Sequence, residues 1–124
     1  QDHVGTGKRI MVMGDMLELG PDSERYHREI GTLIAESGVD LLFACGKQAK
    51  SVAQGARSVG MSHTKIITAA DVELLAEDVT DLLEPGDVVL VKGSRGMGME
   101  RFLQHLQQIV SEKETTGVTK ISCV

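Results

Sequence analysis

The chain has 124 residues, 41% apolar and 25% charged, with a formal charge of -5 and 2% aromatic residues, enough for one domain that buries a core without disulfides or metal. An acidic balance with so few aromatics excludes a general nucleic-acid surface, which needs a basic excess and stacking platforms. No apolar run approaches the roughly 18 residues of a membrane span, and the two cysteines, Cys45 and Cys123, supply neither a disulfide framework nor a CxxC metal pattern.

Residues 1–8, QDHVGTGK, read as a mobile head. They lack the apolar core of a secretory leader, so the expected location is cytoplasmic, and the missing initial methionine points to a processed chain or an excised domain. GTGK at 5–8 is not a Walker loop, because Lys8 runs into a strand instead of closing a strand-to-helix turn. Arg9 to Met13 (RIMVM) is the first buried strand, ended by Gly14 and Asp15. In the following loop, Asp22 and Glu24 place acid at a helix start, and Tyr26, Ile30, Leu33 and Ile34 give that helix an apolar face up to about Gly38.

A second strand, Leu41 to Cys45, passes through Gly46 into a helix whose Ala49, Val52, Ala53 and Ala56 form a stripe of small side chains. Cys45 reads as a small buried residue. Lys65 to Ile67 is a short third strand. Asp71 caps a helix with Val72, Leu75, Ala76, Val79 and Leu83 on its inner face. A Glu84–Pro85–Gly86–Asp87 turn precedes the Val88 to Val91 strand. A last helix uses Met99, Phe102, Leu103, Leu106 and Val110. The domain is expected over 9–112, with 113–124 a tail, either an edge strand or disordered.

Strands alternating with helices, without hairpin signals, predict an open α/β fold: a mainly parallel, Rossmann-like sheet with helices on both faces. Ligands of such sheets bind outside the carboxyl ends of the strands. Here those ends are GDMLELG, CGK and KGSRGMG. In the last, Gly93, Gly96 and Gly98 permit a tight turn whose amides, with Lys92 and Arg95, suit a phosphate or carboxylate; a plain strand-to-helix turn with solvated cations is the alternative. Asp15 and Glu18 at the first exit either meet a ribose hydroxyl, an ammonium group or Lys92, or simply cap and solubilise. Asp15, Glu18, Asp22 and His27 have no metal-site spacing, so no metal is expected. His27 either orients the GDM loop by hydrogen bonding or is a half-exposed helical histidine with no special role.

The segments RIMVMGDMLELGPDSERYHREIG, DLLFACGKQA and VVLVKGSRGMGMERFLQHL together resemble the carboxy-terminal domain of the Mur ligase family, over about residues 9–107. The resemblance implies a cytoplasmic, ATP- and magnesium-dependent ligase that turns a peptide carboxylate into an acyl phosphate for attack by an amine. Within the family, it points to addition of D-alanyl-D-alanine to a UDP-N-acetylmuramoyl tripeptide in peptidoglycan precursor synthesis. This domain would close over the nucleotide. By motif position, Lys92, Gly93, Ser94 and Arg95 would line the closed crevice, with Asp15 and Glu18 on the opposite lip, in binding and closure rather than catalysis. The family's P-loop, magnesium ligands and carbamylated lysine belong to its central domain, so ATP and Mg would be bound mainly outside this chain. Its DxYNANP segment is also absent, so the sheet is expected to lack its first strand–helix unit. The chain alone is expected not to ligate; a stand-alone nucleotide- or acid-binding module is the alternative.

Overall fold

Branched apolar runs become the sheet of the computed structural model, which describes residues 7–16, 20–70, 75, 78–79, 81–84, 86–92, 104 and 120–123. The strands are β1 (Arg9–Met13), β2 (Leu41–Cys45), β3 (Ile66–Ala69), β4 (Val88–Lys92) and β5 (Lys120–Cys123). Their order is β3-β2-β1-β4-β5, and every pairing is parallel. Two helices are delimited, α1 (Ser23–Glu36) and α2 (Ala49–Ser58). The outcome is the open parallel α/β sheet that the alternation predicts, with residues 120–123 forming its outer strand beside β4.

Alternation along the strands divides the core in two. Ile10, Val12, Phe43, Cys45, Val89 and Val91 share one face with Leu75 and Val79. Met13, Leu42 and Ala44 share the other with Ile34, Ala49, Val52 and Ala56. Helical backbone at Leu75, Asp78, Val79, Asp81 and Leu82 covers the first face, and α1 and α2 cover the second. Right-handed crossovers explain the division: two successive steps from β1 through β2 to β3 put α1 and α2 on one side. The return past β1 to β4 puts the next helical segment on the other. Of that helix's expected residues, Asp71, Val72 and Ala76 lie outside the described residues, as do Met99, Phe102, Leu103, Leu106 and Val110 of the last helix.

Two expectations need correction. The inward face of α1 is His27, Gly31 and Ile34, with Ile30 partly buried, whereas Tyr26 and Leu33 are exposed at 49% and 65%. Gly31 lies directly against the backbone of Val52 and Ala56, and this close approach of α2 sets the rotation of α1. The third strand begins at Ile66 and runs to Ala69, one residue later at its start than Lys65 and two later at its end than Ile67. The Ser62 hydroxyl caps a 3-10 turn over His63–Lys65 by accepting from the Thr64 N–H, and β3 then pairs with β2 as far as Cys45.

Two carboxylates tether β1 at its amino end. Asp40 accepts from the Arg9 N–H at 2.8 Å, while the Arg9 carbonyl accepts from the Asp40 N–H. On the other side, Asp87, fully buried, accepts from the Lys8 N–H at 2.8 Å and the Glu84 N–H at 2.9 Å. The Lys8 ammonium lies 2.9 Å from both Asp87 and Glu84. These contacts align β2, β1 and β4 before the chain reaches the opposite, carboxyl edge.

Candidate functional site

At the carboxyl edge the strand order reverses at β1, whose neighbours are β2, next in sequence, and β4, reached from β3. Open α/β sheets place their ligand crevice at such a reversal. The two flanking exits are joined: the Gly14 N–H donates to the Lys92 carbonyl at 2.8 Å, one step beyond the Met13–Lys92 register pair. Lys92 is half-buried at this point. Gly93, Ser94 and Arg95 follow Lys92 directly in sequence. Gly93, Ser94 and Arg95 themselves lie outside the described residues, as does Glu18.

Asp15 is 7% exposed and turned toward β2. Its Oδ2 accepts from the Lys47 N–H at 2.9 Å, and its Oδ1 from the Gln48 N–H at 2.8 Å. α2 has no capping side chain of its own, so this carboxylate from another strand exit satisfies the amides of the turn that enters it. Negative charge there also complements the helix dipole. Gly46 is required twice over: its φ is 103°, and a Cβ on it would stand 2.7 Å from the Asp15 carboxylate atoms. The CGK exit is therefore an anion-holding turn that already contains an anion, the protein's own.

Met16, directly after Asp15, is held from behind by His27, fully buried on α1. Its Nε2 accepts from the Met16 N–H at 3.0 Å, and its Nδ1 lies 2.7 Å from the Ser23 carbonyl oxygen. An amide can only donate and a carbonyl only accept, so the ring is neutral with its proton on Nδ1. Of the two sequence readings of this histidine, loop orientation is the one observed. Its burial was hidden because a histidine among Glu24, Arg25, Arg28 and Glu29 reads as part of a wet face.

Among the described residues, no three His, Cys, Asp or Glu side chains gather so as to hold a metal ion, and none of their helices is long and apolar enough to cross a membrane. At the opposite edge, the Lys8 ammonium has a displaced pKa. Burial disfavours the Lys8 ammonium, but the hydrogen bonds and charges of Glu84 and Asp87 together outweigh it, raising its pKa above the ordinary 10.5.

Residues 1–95 match the family profile described as Mur ligase, glutamate ligase domain. The chain is 34% identical over 102 residues to the UDP-N-acetylmuramoyl-tripeptide–D-alanyl-D-alanine ligase of Bacillus subtilis, covering 82% of this chain and 22% of that protein. It is 35% identical over 104 residues to the ligase of the same description from Escherichia coli, again covering 82% and 22%. Its fold is similar to a crystal structure of MurF from Acinetobacter baumannii, with a TM-score of 0.69 at 29% identity, covering 80% of this chain and 21% of that one. The chain spans about a fifth of the length of the relatives it matches.

Proposed function

The chain belongs to the Mur ligase family through its glutamate ligase domain, and on that premise we propose that it is the closing domain of an ATP-dependent ligase. The proposed reaction joins D-alanyl-D-alanine to a UDP-N-acetylmuramoyl tripeptide, in the cytoplasm, during peptidoglycan precursor synthesis. The observation that supports this reading is the Gly14–Lys92 junction, because it brings Lys92, the first residue of the KGSRG segment, beside the GDM exit at the reversal of strand order.

In this reading the chemistry is amide formation: ATP phosphorylates the peptide carboxylate, and the dipeptide amine displaces phosphate from the acyl phosphate. Magnesium and most nucleotide contacts are assigned to residues outside this chain. This chain contributes position. Lys92 and Arg95 supply cations to a carboxylate or phosphate, and the glycine-rich amides of the loop add donors, as a reaction between two bound anionic substrates requires. Asp15 serves at the opposite lip by holding the Gly46–Gln48 turn in place, and Glu18, three residues on in sequence, is assigned to the same lip.

The test uses Arg95→Ala in the complete ligase that contains this domain, with phosphate release measured against D-alanyl-D-alanine and ATP. Loss of one charge-assisted contact predicts a fall in kcat/KM for the dipeptide of about 10- to 100-fold with an unchanged melting temperature. Unchanged kinetics would return the loop to an ordinary strand-to-helix turn. The isolated chain, under the same assay, is expected to show no turnover.

A further inference from the structure

We propose that the groove along α2, from Lys47 past Lys50 to Arg57, binds an anion of the phosphate class at a site of its own. All 18 Asp and Glu of the chain lie outside residues 41–70, a stretch that holds Lys47, Lys50, Arg57 and Lys65. Within a chain of net charge -5, β2, α2 and β3 thus form a basic island at one side of the sheet.

The fold gathers this charge into a concave surface. Lys50, Gln54 and Arg57 are spaced i, i+4 and i+7, so they line one side of α2 from its first turn to its last. A hollow of about 360 Å³ is bordered by Lys47, Lys50 and Thr68. A second, of about 540 Å³, is bordered by Lys50, Ser51, Gln54, Arg57 and Thr68. Lys50 and Thr68 belong to both, so the two hollows are one groove that starts at the carboxyl edge and follows α2 away from it.

Four of the other described cations are already engaged. Lys8 is paired with Glu84 and Asp87, Arg25 with Asp22 and Glu29, and Arg28 with Glu24, while Arg9 donates to the Gly38 carbonyl. Lys47, Lys50 and Arg57 have no ion-pair partner among the described residues. Among the described residues, Glu24 is the one carboxylate bordering the groove, and it stands 3.7 Å from Arg28. A concave wall carrying cations of one sign focuses positive potential outward. An anion there gains charge-assisted hydrogen bonds from ammonium and guanidinium groups, with the Thr68 hydroxyl as a further donor. Among the described residues no aromatic side chain borders either hollow, and the cations that border them hold a ligand by its charge. Cations serving only solubility are ordinarily interspersed with acids; here acids are excluded from the whole of 41–70. The inference uses none of the crevice residues Lys92, Gly93, Ser94, Arg95 or Glu18 and shares with the crevice only the turn that carries Lys47; a readout at Lys50, Arg57 and Thr68 therefore separates its outcome from that of the ligase reading.

The experiment titrates inorganic phosphate into the ¹⁵N-labelled chain at constant ionic strength, following backbone amides. Saturable shifts at Lys50, Ser51, Gln54, Arg57 and Thr68 are expected. The double substitution Lys50→Gln, Arg57→Gln should weaken binding by at least about tenfold, while Lys65→Gln, which is equally basic but off the groove, should leave it unchanged. Shifts that grow linearly, an equal loss in Lys65→Gln, or the same shifts from acetate at the same concentration would overturn the proposal. So would a silent phosphate titration alongside saturable binding of a polyglutamate peptide.

Discussion

Gly31 of α1 and Gly55 of α2 are reciprocal contacts: a Cβ on Gly31 would fall on the carbonyl oxygen of Val52, and a Cβ on Gly55 on that of Arg28. Each helix thus presses a glycine against the other's backbone, close enough for Cα–H···O contacts. Both helices cover the face of the sheet that holds Met13, Leu42 and Ala44, so their separation would open that core. Alanine is intrinsically better in a helix by about 1 kcal/mol, yet neither backbone can yield without moving the whole element. Gly31→Ala and Gly55→Ala are therefore each expected to destabilise by about 2–3 kcal/mol net. Thermal and urea denaturation of the two variants checks this, and a melting temperature at or above that of the parent would show that the helices can part at little cost.

The same contact explains where the sequence was hard to read. β1, β2 and the Val88–Val91 run were legible because a parallel strand buried on both faces is written locally, as an unbroken branched run between turn residues. α2 was legible for the same reason, since its Ala49, Val52, Ala53 and Ala56 stripe is itself the buried face. α1 was legible as a helix, but its inward face was not, because that face is a histidine, a glycine and one isoleucine, and the reason lies in Gly55, 24 residues from Gly31. The site divides likewise. That strand exits gather glycine and charge was visible in sequence. That Asp15 is engaged by the amides of Lys47 and Gln48 was not, because only the sheet brings residues 32 and 33 positions apart together.

His27 tests how the GDM loop is held. With Nδ1 donating to Ser23 and Nε2 accepting from Met16, the ring should show the Nδ1–H tautomer in ¹⁵N NMR of the imidazole. Equal populations of the two tautomers, or the Nε2–H form, would contradict the assignment. His27→Phe keeps most of the buried volume but leaves the Met16 N–H without its acceptor, which costs about 1–3 kcal/mol. Faster hydrogen exchange at Met16 should accompany that loss.

Lys8 gives the amino edge a pH dependence of known sign. Its folded pKa is raised above the ordinary 10.5 by the combined action of Glu84 and Asp87 against burial. The unfolded chain therefore releases this proton first as pH rises. The stabilisation is complete below 10.5 and is lost as pH climbs through the higher folded value. Stability of the parent relative to Lys8→Met should be constant from neutral pH to about 10 and shrink above it, as followed by urea denaturation at stepped pH. A difference that stays constant above pH 11 would mean that the ammonium is not the group responsible.

Asp15 distinguishes positioning from direct ligand contact. Both of its oxygens accept amides of the turn into α2, so Asp15→Ala leaves two N–H groups without their acceptor and a helix start without its negative charge. The expected cost is about 2 kcal/mol in stability, with upfield shifts of the Lys47 and Gln48 amide protons. Asp15→Asn retains a single acceptor oxygen and turns a donor toward one of those amides, so it should fall near the alanine variant. Thermal denaturation and amide shifts of the isolated chain read the structural role without any substrate. In the complete ligase, a positioning residue should then lower turnover in proportion to the disorder seen at Lys47 and Gln48. If instead Asp15→Asn leaves both amides and the melting temperature untouched while raising KM for the dipeptide, the carboxylate is a ligand contact and the turn into α2 is held by other groups.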